Sequence, residues 1–264
     1  MSAKRKFFII IIAAVYGIIF VCVMIALIFG GTFGIKHLRY NEEVRGDFVI
    51  RYFDNNDVEL SALSKDGKAK SRLRIPATVD GKEITNIGKR SILQIEEVRS
   101  MCDLSEMSSN NVKDLILAYG ELNPAIFYRY YGWKDLFPNA ERIFLLEFQS
   151  IENVGQTKVY ISSQLYKEKE VGRPANISYY YNYANAESNG YYWIDDCAYG
   201  SRIEYIPEDP TRDGYTFGGW YKEAECINKW DFDSDTLPEE KNEISEDGKE
   251  KVVYQETKLY AKWM

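Results

Sequence analysis

The chain has 264 residues, 45% of them hydrophobic, and a formal charge of -7. All 40 acids follow residue 41, while three of the 33 bases precede residue 7, so the remainder sets 30 bases against 40 acids, a net -10. Such a body repels phosphates, which excludes a nucleic-acid partner, and the length allows one membrane segment plus two small domains.

Residues 1–6, MSAKRK, form a basic tail, and residues 7–29, FFIIIIAAVYGIIFVCVMIALIF, follow without a charge. That run covers roughly 35 Å as a helix, against a bilayer core of about 30 Å. Lys4, Arg5 and Lys6 precede it, whereas Lys36 and Arg39 behind it are balanced by Glu42 and Glu43. The bias in basic residues predicts a single-pass anchor in the cell membrane, N-terminus cytoplasmic and body extracellular. The alternative is a cleaved signal peptide, but its apolar region would be shorter and end in a small-x-small site, which ALIFGG does not supply. Cys22 reads as lipid-facing and His37, the single histidine, as interfacial. Residues 30–46 then serve as a juxtamembrane linker.

From residue 47 to 171 the pattern is short strands with Asp/Gly turns. DFVIRYF (47–53) and VELSALS (58–64) read as paired strands, KDGK as the next turn, and RLRIPATVDG and KEITNIG as further short strands. AIFYRYYGW (125–133) reads as core or as a helix face rather than a binding surface. IPATVDGKEITNIG (75–88) resembles the opening repeat of BspA-type leucine-rich repeats, on Pro76, Gly81, Ile84, Ile87 and Gly88. The customary Ala-Phe that follows is here Ser91-Ile92, and ITNIG (84–88) returns as IENVG (151–155). VYISSQLYKEKE (159–170) resembles a closing segment, a strand then a short helix. The resemblance implies a short, degenerate leucine-rich-repeat-like domain over 47–171, whose stacked units share a core and whose concave sheet is the working surface. The alternative is a generic mixed α+β domain.

From 175 to 264 the aromatic content rises. ISYYYNY and YYWIDDCAYG read as strands, the first with tyrosines of the 179–183 run facing outward. IPEDPTRDG cannot pair as a ladder. In GYTFGGWYK (214–222), Tyr215 and Phe217 alternate onto one face, and Gly218 and Gly219 interrupt the strand. LYAKW closes the region with Leu259, Ala261 and Trp263 on one face and Tyr260 on the other. The residues Pro210, Gly214, Tyr215, Phe217, Gly218, Gly219, Trp220, Tyr221, Trp230, Asp231, Phe232, Leu259, Tyr260, Ala261 and Trp263 resemble the Listeria–Bacteroides repeat, the B-repeat type of internalins. That resemblance implies a small β-grasp-like domain of secreted and surface bacterial proteins. Trp220 then reads as core, with a sugar-stacking platform as the alternative. LPEEKNEISEDGKEKVVYQE is longer and more charged than the family pattern and reads as a solvated hairpin or loop.

No pair among Cys22, Cys102, Cys197 and Cys226 has CxxC spacing, so no metal or redox motif is present. Cys197 and Cys226 would be able to pair as a disulfide outside the cell, leaving Cys102 single. A histidine-based triad is disfavoured by the single His. Asp231, Asp233 and Asp235 lack the Gly and Glu of an EF-hand, having Thr236 and Asn242 instead. Neither a P-loop nor a dinucleotide fingerprint occurs, and no cofactor is implied. The expected protein is membrane-anchored, β-rich α+β and non-enzymatic. It binds a protein or glycan partner outside the cell, adhesion-type, or acts as a spacer. The alternative is an envelope assembly factor working in cis beside another membrane protein.

Overall fold

A computed structural model describes residues 39–90, 102–118, 133–147, 155–169 and 172–264. The expected anchor at 7–29, Cys22, His37, the 125–132 aromatic run and Ile151–Val154 of the returning motif lie outside these residues. No helix among the described residues is long and apolar enough to cross a membrane. The described chain is rich in β-structure, with a few short helices.

Strands β1 (Tyr40–Arg45), β2 (Phe48–Phe53) and β3 (Val58–Leu63) form an antiparallel meander. Gly46 and Asp47 make the first turn, and Asp54–Asp57 the second. The expected turn after β3 is instead a helix, α1 (Lys65–Ala69). Ser64 starts it, its hydroxyl accepting from the Gly67 N–H at 3.0 Å while donating to the Gly46 carbonyl at 2.9 Å. A Cβ on Gly67 would stand 2.1 Å from the Asp47 carbonyl oxygen. Gly67 is therefore a packing glycine, not a turn former. Gly67→Ala is expected to destabilise the protein by about 2 kcal/mol or more through the forced backbone shift. A loss under about 0.5 kcal/mol in urea unfolding would show that the contact relaxes freely.

Next come β4 (Arg72–Ile75), the small hairpin β5 (Thr78–Val79) and β6 (Lys82–Glu83), then β7 (Asn86–Ile87), which joins β3 in parallel. A second small pair is β8 (Lys89–Arg90) with β9 (Cys102–Asp103). Strands β10 (Asp114–Leu117), β11 (Arg142–Leu145), β12 (Lys158–Ile161) and β13 (Arg173–Pro174) then stack on β4 in chain order. Every pairing in this five-stranded sheet is parallel. The short helices α2 (Trp133–Leu136) and α3 (Ser163–Lys169) flank it, α3 directly after β12 as expected of a closing segment.

Parallel sheets are stable when both faces are covered. On one face Leu73, Ile75, Leu115, Leu117, Ile143, Leu145 and Ile161 join Phe48, Ile50, Leu60, Trp133 and Phe137 in one core. On the other face Ile116, Phe144 and Tyr160 join a second core built with C-terminal residues, among them Tyr179, Trp193, Trp220 and Leu259. That second face was expected to be an open concave working surface. It is instead buried inside the molecule.

The C-terminal sheet consists of β14 (Ile177–Tyr180), β15 (Tyr191–Asp195), β16 (Phe217–Tyr221) and β19 (Thr257–Trp263), in the order β15-β14-β19-β16. The central pair β14–β19 is parallel and both outer pairings are antiparallel. Between β16 and β19 the charged insertion folds as an exposed hairpin, β17 (Asn242–Ile244) with β18 (Glu250–Val252). Only Ala175 and Asn176 separate β13 from β14, and the Ala175 N–H still donates to the Ile161 carbonyl at 2.9 Å. The chain thus passes from one sheet to the other between Pro174 and Ile177.

Register explains the aromatic run. Tyr179 pairs with Trp193 and Leu259 on one face, while Tyr180 pairs with Tyr191 and Tyr260 on the other. Both faces are covered, so Tyr179 and Tyr181 are buried and Tyr180 and Tyr183 half-buried. Of the tyrosines expected to face outward, none is fully exposed, and Tyr180 and Tyr183 keep only part of their surface open.

Candidate functional site

The contact between the parallel sheet and the C-terminal sheet carries an ionic network where β4, β10 and β11 begin and β15 ends. Parallel pairing puts Arg72, Asp114 and Arg142 side by side. Asp114 accepts from Arg142 Nε at 2.8 Å and Nη2 at 2.6 Å, and Arg72 Nε approaches the same carboxylate at 3.0 Å. Asp195, at the end of β15, reaches in from the other sheet. It pairs with Arg72 through Nη1 and with Arg142 Nη1 at 3.2 Å, and its side chain is 2% exposed. Arg142 also donates to the Asp196 carbonyl at 3.0 Å. The Arg142 pKa is raised, first by its hydrogen bonds to Asp114, and by the charges of Asp195 and Asp114, against the opposing effect of burial. The Asp196 carboxyl, by contrast, is pushed up by its burial.

Beside this network Arg74 makes a second crossing. Its guanidinium pairs with Glu187, donates to Tyr181 Oη at 3.1 Å and to the Tyr192 carbonyl at 3.0 Å, and lies 5.3 Å from the Tyr192 ring. Tyr181 and Thr78 donate to Glu187 at 2.7 and 2.8 Å. Burial alone would raise the Glu187 pKa, but the Arg74 charge and the three hydrogen bonds outweigh it and the carboxyl lies below its usual range.

A lowered folded pKa gives stability that is complete above the unfolded carboxylate value and is lost as pH falls through the folded one. The advantage of wild type over Glu187→Gln, on the order of 1–2 kcal/mol at neutral pH, is therefore expected to shrink below about pH 4.5. Asp196 acts in the opposite sense, being raised, but acts equally in both proteins. Urea midpoints for the two proteins at neutral and acid pH check this, and a pH-independent difference would count against it.

Above the Arg74–Glu187 floor lies an open cleft of about 670 Å³, walled by Asp209, Thr211, Arg212 and Asp213 on one side and Thr78 and Asp80 on the other. Arg212 is held against Tyr215, 3.8 Å from its ring centre, and against Tyr183 at 4.4 Å, with Trp263 at 5.8 Å. The Gly214-Tyr215 start of the GYTFGGWYK segment thus precedes the strand, and Tyr215 is 51% exposed. Sequence reading missed Arg212 and the cleft. The signal was the placement of Arg212 three residues before an aromatic residue in a proline loop, which has no meaning until Tyr183 is brought to it.

The other family-pattern residues are structural. Trp220 is 2% exposed and packs edge-on to Tyr179 at 4.9 Å and Phe217 at 5.1 Å, and stacks on Tyr192 at 5.8 Å. Gly218 and Gly219 lie at the register shift between Phe217 and Trp220. Gly219 has φ +107°, and a Cβ there would also meet the Lys229 side chain at 2.7 Å. Trp230 and Leu259 are buried, and Phe232 and Trp263 pack at the edge of the same core. Tyr221 pairs with Tyr260 across β16–β19, and the Lys262 ammonium lies 5.0 Å from the Tyr221 ring. Asp231 accepts from the Asp233 N–H at 3.0 Å and the Ser234 hydroxyl at 2.7 Å, so its carboxylate closes a local turn.

Cys197 and Cys226 are free thiols, which corrects the expected pairing. Asn176, whose side chain binds the Cys197 backbone, receives the Thr257 N–H, whereas Cys226 Sγ approaches the Ala261 carbonyl at 3.7 Å. Thr257 and Ala261 are four positions apart on β19, a separation of about 13 Å, well beyond disulfide reach. Burial and the nearby Asp195 push the Cys197 thiol up to about 11, so it is a poor nucleophile at neutral pH. Among the described residues no group of three or more His, Cys, Asp or Glu is placed to hold a metal ion.

Residues 181–244 match the family model of the Listeria-Bacteroides repeat domain. The match contains Tyr181, Tyr183, Glu187, Tyr192, Arg212 and Tyr215, and ends at the first strand of the exposed hairpin. No solved structure matches the chain.

Proposed function

We propose that this chain is a non-enzymatic bacterial surface protein, anchored by residues 7–29 with its body outside, that binds a protein or glycan partner through the Arg212 cleft. The Listeria-Bacteroides repeat occurs in bacterial surface proteins, and the match at 181–244 is the observation that carries the reading. The parallel strands stacked in chain order favour a leucine-rich-repeat-like coil for the middle region. The order β15-β14-β19-β16, second-first-fourth-third among these strands with the central pair parallel, favours a β-grasp-like C-terminal sheet.

Protease treatment of intact cells carrying a C-terminal tag tests the placement. The expected result is loss of the tag from cells whose untreated membranes retain it. A protected tag would place the body inside and overturn the surface reading. The assembly-factor reading has one specific support: β1 begins at Tyr40, about ten residues after the apolar run, a reach of roughly 35 Å at most. Crosslinking on the same cells separates the two. Products confined to membrane proteins of the producing cell would favour assembly in cis.

A further inference from the structure

We infer that the Arg212 cleft takes a neutral carbohydrate, a reading that rests on the surface-binding function above and names its ligand class. The inference starts from which charges around the cleft are committed. Arg74 and Glu187 satisfy each other, Glu208 is paired with Lys70 at 2.6 Å, and Asp80 lies 3.7 Å from Arg45 Nε while accepting from the Tyr52 hydroxyl at 2.6 Å. Among the described residues no side-chain hydrogen bond or ion pair engages Asp209, Arg212 or Asp213. These three stand within five residues of one proline-containing loop, in the order minus, plus, minus.

That alternation selects against ligands of one sign. A polyanion that reached Arg212 would meet Asp209 and Asp213, and a polycation drawn to the aspartates would meet Arg212. A neutral polyhydroxyl ligand needs donors and acceptors close together, and the loop supplies both. The carboxylates accept from hydroxyls, and the guanidinium fork donates to hydroxyl or ring oxygens. Arg212 is also pre-organised: contact with Tyr215 and Tyr183 restricts a side chain that would otherwise lose much rotamer freedom on binding. The floor beneath it is a saturated hydrogen-bonded network fixed to both sheets, so the loop sits on a rigid base. At about 670 Å³ the cleft lies within the range of small-ligand sites, roughly 300–1,000 Å³. Of the tyrosines lining the cleft, Tyr181 and Tyr192 are buried and the half-buried Tyr183 has Arg212 over its ring, so recognition is by hydrogen bonds more than by ring stacking.

The test is co-sedimentation of the full chain, purified in detergent, with insoluble polysaccharides. The panel is neutral cellulose, β-1,3-glucan and mannan, cationic chitosan and anionic polygalacturonate. Binding to at least one neutral polymer is expected, changed less than about twofold between roughly 0.15 M and 1 M salt. Arg212→Ala and the double variant Asp209→Asn with Asp213→Asn should each weaken it by about tenfold, with thermal unfolding lowered by no more than about 5 °C in the first, which loses ring contacts, and unaltered in the second. Arg212→Lys, which keeps charge but loses the fork, should not restore it. Failure to bind any neutral polymer, binding to chitosan or polygalacturonate alone, or neutral binding that survives Arg212→Ala would each overturn the inference. Protease accessibility on cells is unaffected by any of these results, so the surface reading stands or falls separately.

Discussion

Asp195→Ala is expected to destabilise the protein by about 3 kcal/mol, a fall in Tm of roughly 6–12 °C for a chain of this size. The reason is the asymmetry of buried ion pairs. The intact network need not add much over an apolar contact, because four charged groups are desolvated to make it. Removing one member leaves the others uncompensated. Asp195 is almost fully buried and is the one carboxylate that the C-terminal sheet contributes to Arg72 and Arg142. Both arginines keep Asp114 and are about one-fifth exposed, which holds the loss near the lower end of the range. Asp195→Asn keeps an acceptor and should cost less. The same network predicts that both sheets unfold in one transition in wild type and that Asp195→Ala broadens or splits it. Calorimetry reads both effects. A loss below about 1 kcal/mol with a single sharp transition would mean that apolar contacts alone hold the sheets together.

Trp220→Ala should have an effect at least as large, about 3–5 kcal/mol, by opening a cavity among Tyr179, Tyr192 and Phe217. Trp220→Phe should be much milder. The Trp220 Nε1 is buried with no hydrogen-bond partner, so the smaller ring forfeits volume but no hydrogen bond. Chemical denaturation of both variants decides between a core residue and a binding platform. A platform tryptophan would leave stability unchanged in Trp220→Ala and abolish binding instead. The GYTFGGWYK segment thus divides its aromatics, Trp220 supporting the sheet from inside and Tyr215 holding an arginine at its surface.

Strands were legible where the local pattern was complete in itself. Phe48–Phe53 and Val58–Leu63 alternate or run apolar between Asn/Asp turns, and Thr257–Trp263 alternates cleanly, so each was readable from its own residues. Lys65–Ala69 was not, because Lys-Asp-Gly-Lys serves a turn equally well. Its helix depends on the Ser64 cap and on room for Gly67 against a carbonyl twenty positions earlier. The concave face misled for a related reason. Arg72, Arg74, Asp114 and Arg142 look like a solvated stripe in isolation, and their partners Asp195 and Glu187 come from β15 and from the connection that precedes it. Charge complementarity across more than fifty positions has no local signature. The apolar members of the same face, Ile116, Phe144 and Tyr160, were the visible clue that something covers it. Arg212 was illegible on the same grounds: Tyr215 is its neighbour in the chain, but Tyr183 reaches it only through the fold of the C-terminal sheet.

The placement of Thr257–Trp263 between β14 and β16 also sets an order of events during synthesis. The strand that completes the middle of the C-terminal sheet emerges about eighty residues after its parallel partner. Until it leaves the ribosome, β14 and β16 have no common neighbour, and the sheet that covers Ile116, Phe144 and Tyr160 lacks its middle strand with Leu259 and Ala261. A nascent chain stalled before residue 257 is therefore expected to expose this apolar face to chaperones or to a secretion machinery that handles unfolded chains. Pairing over so long a separation is slow to form and easily interrupted, and the same topology that seals the finished molecule keeps it open while it is being made.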